Sequence, residues 1–376
     1  MHNRFTGGIA MVVILAPLWG QDAPLSTSAV SVKFPKDAPV VFVDATTGES
    51  RTAASGAALL IDLHLSLVLR NIGTHRVHSV KLGVVAQEVA LGGKGSQSYT
   101  GMNVGPGETF PVRIDTQLMK PFQGAGPLVE VRLEGVLFDD LSFYGTDLNA
   151  QRTMTAWELE AQRDREYFRR TLAQSGVEGL KREIFASMER QRLRPRLDWR
   201  MPRGPAVTSA ALGPERAEKF AFLQLRDAPV EAVSGWAEVA GNEMRSPRIE
   251  VRNLSNKPVK YVELGWLVRD ESGEQYMAAS LPASGPDLYL PAGRTTQVVQ
   301  DKVLDLSRRG QPLKIQGMTG FVSQVQFADG KIWVPSRQNL DEPTLRKALP
   351  PSLEEQRLTD IYRTKGQHAL LQELRR

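Results

Sequence analysis

Few side chains in this sequence have the type and spacing for chemistry. Beyond residue 20 the histidines are His64, His75, His78 and His368. His75-x-x-His78 is the one metal-like spacing, and a strand could bring His64 beside it, giving three imidazoles able to hold zinc. Against that, His75 and His78 match Lys257 and Lys260 in an internal repeat. They read as exposed loop and strand-edge positions that accept cations, and no metal site is expected. Asp139-Asp140 is the obvious carboxylate pair for glycosidase work. Neighbours on a strand point to opposite faces, however, and Asp140 matches Asp329 of an Asp-Gly turn, so a strand-end turn accounts for both. Gly92-Gly93-Lys94-Gly95-Ser96 lacks the glycine spacing and the following helix of a phosphate loop, and reads as a hairpin. There is no Gly-x-Ser-x-Gly elbow and no cysteine, so cysteine nucleophiles, thiolate metal sites and disulfides are excluded. No catalytic residue, metal ligand or cofactor is expected, and the chain reads as a non-enzyme.

Two further sets could bind rather than react. Arg190, Arg192, Arg194, Arg196, Arg200 and Arg203 crowd one segment and could hold phosphate, anionic lipid or an acidic glycan. The competing reading is a solvated linker balanced in part by Glu189 and Asp198. Among the aromatics, Trp266 falls in an inward row, and Trp333 and its counterpart Tyr144 sit where they would cap a sandwich. Trp236 has no counterpart and is the best candidate for an exposed, sugar-stacking ring, although packing is the favoured reading for it too.

The elements that would carry these residues are duplicated. Leu69-Arg70-Asn71-Ile72-Gly73 through Gly83 aligns without a gap to Val251-Arg252-Asn253-Leu254-Ser255 through Gly265. Asp37-Ala38-Pro39-Val40 returns as Asp227-Ala228-Pro229-Val230, Gly105-Pro106-Gly107 as Pro291-Ala292-Gly293, and Phe138-Asp139-Asp140 as Phe327-Ala328-Asp329. Each copy alternates with period two. Leu63, Leu65, Leu67 and Leu69 oppose Asp62, His64, Ser66 and Arg70, and Val262, Leu264, Trp266 and Val268 form a second inward row. Short strands divided by Asn, Asp, Gly and Pro turns predict antiparallel sandwiches over 28–147 and 218–337.

The run Ile249-x-Val251-x-Asn253-x-Ser255, then Val259, Val262, Asp270-x-x-Gly273 and Leu290-x-x-Gly293, resembles bacterial extracytoplasmic immunoglobulin-like modules of the FxLYD and CARDB type. The resemblance covers most of the second copy and is fainter in the first. It implies two tandem immunoglobulin-like antiparallel β-sandwiches, and a role in binding, spacing or envelope assembly. It implies no functional residue.

Each sandwich is followed by amphipathic helices. Trp157, Ala161, Phe168 and Leu172 fall at helical spacing, Gly176 and Gly179 interrupt, and Val177, Leu180, Ile184 and Met188 resume, giving a helical segment over 152–192. An Arg/Pro-rich linker follows over 193–217. The tail, 338–376, opens a helix with a Ser352/Glu355 capping box. Leu358, Ile361 and Tyr362 line one face before Gly366, and Leu370, Leu371 and Leu374 line it after. Gln162-Arg163 and Phe168-Arg169 pair with Gln356-Arg357 and Tyr362-Arg363, which extends the repeat into the helices.

Arg4 followed by an apolar run from Ile9 to Leu18 has the layout of a signal peptide over 1–20, cut after Gly20; uncleaved, it would be an N-terminal membrane anchor. Hydrophobic content of 41% supports real cores, and the net charge of +5 is a weak pointer to an anionic partner. The combined expectation is an exported protein, periplasmic or extracellular, that mediates protein–protein contact or spacing in the cell envelope. Its partner would be another envelope protein or itself. An anionic glycan, envelope polymer or lipid is the alternative ligand, and nucleic acid is not expected.

Overall fold

The computed structural model describes residues 23–88, 92–121, 127–192, 198–200, 214–282, 287–299, 303–308, 311–341 and 343–375. The expected signal segment and Arg194, Arg196 and Arg203 lie outside them. The chain is mainly β with helical segments and forms two compact units, one up to Thr146 and one from Asp147.

The first unit contains β1 (Ala23–Pro24), β2 (Val30–Lys33), β3 (Val40–Thr46), β4 (Arg51–Ser55), β5 (Ala58–Asn71), β6 (Val77–Val85), β7 (Lys94–Tyr99), β8 (Thr109–Pro121), β9 (Val129–Phe138) and β10 (Phe143–Tyr144). One sheet sets β5 between β8 and the β3/β4 edge; the other sets β9 between β6 and the short β10, with β2 parallel against β9. The second unit contains α1 (Leu148–Arg192), β11 (Asp198–Arg200), β12 (Arg216–Lys219), β13 (Ala221–Phe222), β14 (Val230–Ala240), β15 (Glu243–Asn253), β16 (Val259–Asp270), β17 (Gln275–Pro282), β18 (Thr295–Val299), β19 (Val303–Arg308), β20 (Gln311–Pro312), β21 (Ile315–Phe327), β22 (Ile332–Trp333), α2 (Pro343–Ala348) and α3 (Leu353–Arg375). Its pairings repeat the first unit's: β15 with β14, β18 and β19; β16 with β17 and β21; β13 parallel against β21.

Alternation builds both cores. Leu63, Leu65, Leu67 and Leu69 of β5 are fully buried and meet Val80, Leu82, Val84 and Val131 from the facing sheet. In the second unit Val262, Leu264, Trp266 and Val268 meet Val251, Met244 and Leu304. Each core is a two-layer solution to burying one face of each sheet.

The identical asparagines of the repeat have a structural cause. Fully buried Asn71 donates to the backbone oxygens of His75 (2.9 Å) and Val104 (3.1 Å), and accepts from the Gly73 N–H (3.0 Å). Asn253 does the same with Lys257 (2.8 Å), Leu290 (3.0 Å) and Ser255 (2.9 Å). One amide thus pins the β5–β6 loop to the strand entry opposite it. The turns after β9 and β21 also match. Leu141 and Gly330 each donate to the carbonyl three residues back at 3.0 Å, both with positive φ (65° and 86°). A left-handed residue at that place is what a three-residue hairpin loop requires, and it suits glycine better than leucine.

The helices follow the sequence expectation with differences. α1 starts at Leu148 and breaks only at Gly176 (φ 66°, ψ −167°); Gly179 is helical, and the missing Cβ lets Ser175 close in. α3 breaks at Gly366 (φ 79°, ψ 179°). Both helices therefore fold into hairpins, and these pack on each other through Phe168, Leu180, Ile184, Leu358, Leu370 and Leu374. The glycines set the register. Phe168 and Leu358 lie eight residues before them, Leu180 and Leu370 four after, Ile184 and Leu374 eight after. The Gln-Arg pairing read from the sequence is one turn out, a shift that keeps the same helix face and so is invisible to periodicity.

The outer faces of the two matching sheets diverge. In the second unit Leu225, Leu267 and Phe321 are covered by Leu345 and Leu349 at α2, and Arg152 of α1 stacks on Tyr261 at 4.2 Å. Phe321 lies opposite Gly265, where a Cβ would meet its ring at 2.3 Å. The first unit has Arg132 opposite Gly83 at that register. There the face carries the ion pairs Lys33–Glu130 (2.5 Å), Arg132–Glu88 (2.6 Å) and Lys81–Glu134 (3.2 Å).

Candidate functional site

The second unit has a cleft of about 1270 Å³ between α1, the end of β16 with its turn, and residues 336–346. Arg163, Ser187, Arg190 and Arg337 line it, and each is bonded to a buried acid. Asp164, with no solvent exposure, accepts from Arg163 through both oxygens (2.8 and 3.0 Å) and pairs with Arg337 at 3.1 Å. Glu355 accepts from the Ser187 hydroxyl (2.5 Å), Arg190 and Arg337 (3.2 Å). Glu354 accepts from Arg165 (3.0 Å) and from Arg357 through both oxygens (2.7 and 2.9 Å). Arg337 lies over the rings of Tyr167 (4.0 Å) and Phe168 (4.9 Å).

Burial alone would raise the carboxyls of Asp164 and Glu354, but hydrogen bonds and charge from the arginines hold both below the usual carboxylate range. Half-buried Glu160 goes the other way. Burial pushes it up to about 7, with Asp164 and Glu263 reinforcing and Arg163 opposing.

Three elements distant in sequence build this network, and each glutamate is placed by local chemistry. Ser352 caps α3, accepting from the Glu355 N–H at 3.0 Å. The reciprocal half of the capping box does not form, because the Glu355 carboxylate is taken by Ser187, Arg190 and Arg337. A hydroxyl beside a carboxylate suggests nucleophile and base, but this carboxylate is also bound by two guanidiniums.

Of the arginine run, the two described side chains go to different acids. Arg190 is committed to Glu355, and exposed Arg192 pairs with Glu189 at 3.2 Å. Arg200 ends β11, whose backbone pairs with β19. Sequence reasoning took Arg190 for a ligand group because its acid lies 165 residues away, and it missed Asp164, Arg337 and Glu354 for the same reason.

The first unit holds two histidine clusters, both on its surface. His64 Nδ1 lies 2.7 Å from Asp115, and its Nε2 3.6 Å from Asp62. The Asp115 hydrogen bond raises its pKa, burial opposes, and Asp62 adds to the rise. Ser50 Oγ accepts from the His64 backbone N–H at 2.7 Å, not from the ring, so no Ser-His pair forms. His75 does not join His64 and His78 in a three-imidazole cluster. Its ring instead faces Asp139 and Asp140, and these three could hold a metal ion. The notable signal is in the twin, where Lys257 bonds Asp329 at 2.7 Å.

The remaining candidates take structural places. Lys94 opens β7, which pairs with β6 in a hairpin. Trp266 is core. Trp333 reaches Asp227 and Tyr144 reaches Asp37, each at 3.3 Å, so the matching aromatics tie down the matching aspartates. Trp236 is half-buried under the Arg248 guanidinium at 5.0 Å.

No protein-family model matches the chain, and no curated protein sequence does. Among solved structures, the Northeast Structural Genomics Consortium target SoR45 is 18% identical over 32% of this chain and 78% of its own, with a TM-score of 0.18. The structure named pT26-6p is 8% identical over 89% and 72%, with a TM-score of 0.15. Red sea bream transglutaminase is 8% identical over 76% and 31%, with a TM-score of 0.13. Likenesses at these scores carry no argument about fold or function.

Proposed function

We propose that the chain is a non-enzymatic exported protein that mediates protein–protein contact or spacing in the bacterial cell envelope. One observation carries this reading: Arg163, Arg190 and Arg337 of the cleft lining are bound to the buried acids Asp164 and Glu355, and buried Glu354 is bound to Arg165 and Arg357. Groups held this way lock helical hairpins together rather than meet a substrate. The copies also repeat an apolar tip, Ile72 and Leu254, 54% and 56% exposed at the same loop, where a protein partner would find matching contacts.

Two measurements test this. The chain recovered from the envelope should begin at Gln21 by intact mass. With a photo-crosslinking residue at Ile72 or Leu254, irradiation of cells should give a discrete protein adduct. A chain that gives no adduct from either site and co-sediments with peptidoglycan or polysaccharide would reject protein contact in favour of polymer binding.

A further inference from the structure

His75 and Asp139-Asp140 sit on the two loops that the buried Asn71 and the β9–β10 turn hold side by side. Asn71 fixes the His75 carbonyl at 2.9 Å, and the Asp139 N–H donates to Arg76 O at 3.0 Å. The Nδ1 of His75 stands 3.8 Å from Asp139 Oδ1 and 3.7 Å from Asp140 Oδ2. These are not hydrogen-bond distances. Other surface ion pairs of this unit close to 2.5, 2.6 and 3.3 Å. The three atoms converge without touching, all within 4.8 Å of one another.

That spacing suits a shared cation. Ligand atoms 2.0–2.2 Å from a tetrahedral zinc stand about 3.3–3.6 Å apart; the two distances from His75 are a few tenths of an ångström longer, and side-chain rotation would have to draw all three atoms in from their 4.8 Å limit. Asp140 is already oriented. Its Oδ1 accepts from the Ser142 N–H (2.9 Å) and hydroxyl (2.6 Å), leaving Oδ2 toward the imidazole.

The second unit supplies the control. The same two loops meet there, the Asx turn is kept by Asp329 accepting from the Lys331 N–H at 3.1 Å, and Lys257 sits directly on Asp329 at 2.7 Å. One carboxylate and one ammonium make a neutral pair. The first unit replaces Lys257 by His75 and Ala328 by Asp139. A second carboxylate thus stands at the place where the twin has one carboxylate and seats a cation on it. A divalent ion restores the balance, and the imidazole favours the zinc class over calcium or magnesium.

We propose that His75, Asp139 and Asp140 form a divalent transition-metal site of the zinc class, exposed and with coordination positions left for water or a donor from another molecule. The sequence points away from a metal because His75 and His78 match Lys257 and Lys260; the fold sets His75 against Asp139 and Asp140 instead of His78.

The test is calorimetric titration of zinc chloride into the full, tag-free, chelator-stripped chain at neutral pH. One saturable ion per chain is expected. His75→Lys and Asp139→Ala install the residues the second unit already accommodates in this turn, and unchanged thermal unfolding will confirm that they fold. Each should weaken binding about tenfold or more, while His64→Gln leaves it unchanged. Absence of saturable binding in the unmodified chain, an unaltered isotherm in both loop variants, or loss of binding in His64→Gln would overturn the assignment.

Discussion

Asn71 and Asn253 show how much a single side chain contributes in this chain. Each satisfies two backbone acceptors and one donor from a buried position. Replacing either by alanine leaves those groups without partners. Asn71→Ala and Asn253→Ala should each lower stability by about 2–3 kcal/mol in urea unfolding. The turn after β9 offers the opposite change. Leu141 holds φ 65° where Gly330 holds 86°. Leu141→Gly should raise stability by about 0.5–1 kcal/mol, and Gly330→Leu should lower it. Both asparagines were legible as identities in the aligned copies. Their purpose was not, because the bonds run to the loop before β8 and its counterpart, which no local pattern ties to the asparagine.

At the scale of elements, the helical hairpins depend on the buried ion network. Arg337 serves two acids and two rings, so Arg337→Ala should cost about 3–5 kcal/mol, whereas Arg192→Ala, which breaks only an exposed pair with Glu189, should stay within about 0.5 kcal/mol. The pH response has two parts. Asp164 and Glu354 have depressed values, so their contribution is present above the ordinary carboxylate range and is lost as the pH falls through the depressed values beneath it. Glu160 has a raised value, so its contribution is present below about 4.5 and lost as the pH rises through about 7. Glu160→Gln should therefore raise the melting temperature at pH 8 and leave it nearly unchanged at pH 5; equal shifts at both would contradict that assignment. The strands and helices were legible because periods of two and 3.6 are local. The network was not, since its residues come from α1, the 337–341 turn and α3, and only contact in space pairs them.

The whole molecule has two sandwich cores that share no residue. Leu67→Ala and Val262→Ala should each cost about 2–5 kcal/mol. In calorimetry the first should shift the transition of the unit up to Thr146, and the second that of the unit from Asp147. The duplication was readable end to end, but it suggested two equivalent modules, each a sandwich with its own helices. The compact units divide differently. α1 follows the first sandwich in sequence yet is built into the second unit, where it packs on α3 and stacks Arg152 on Tyr261.

That placement sets where the chain can be divided. A fragment starting at residue 218, the edge of the second copy, would keep α3 but strip its apolar face of Phe168, Leu180 and Ile184, and leave Glu354 and Glu355 without Arg165 and Arg190. Such a fragment should be insoluble or should recruit a second α3 in trans. A fragment starting at Asp147 retains every one of those contacts. The period of the sequence and the compact units of the protein are thus out of phase by one helical hairpin.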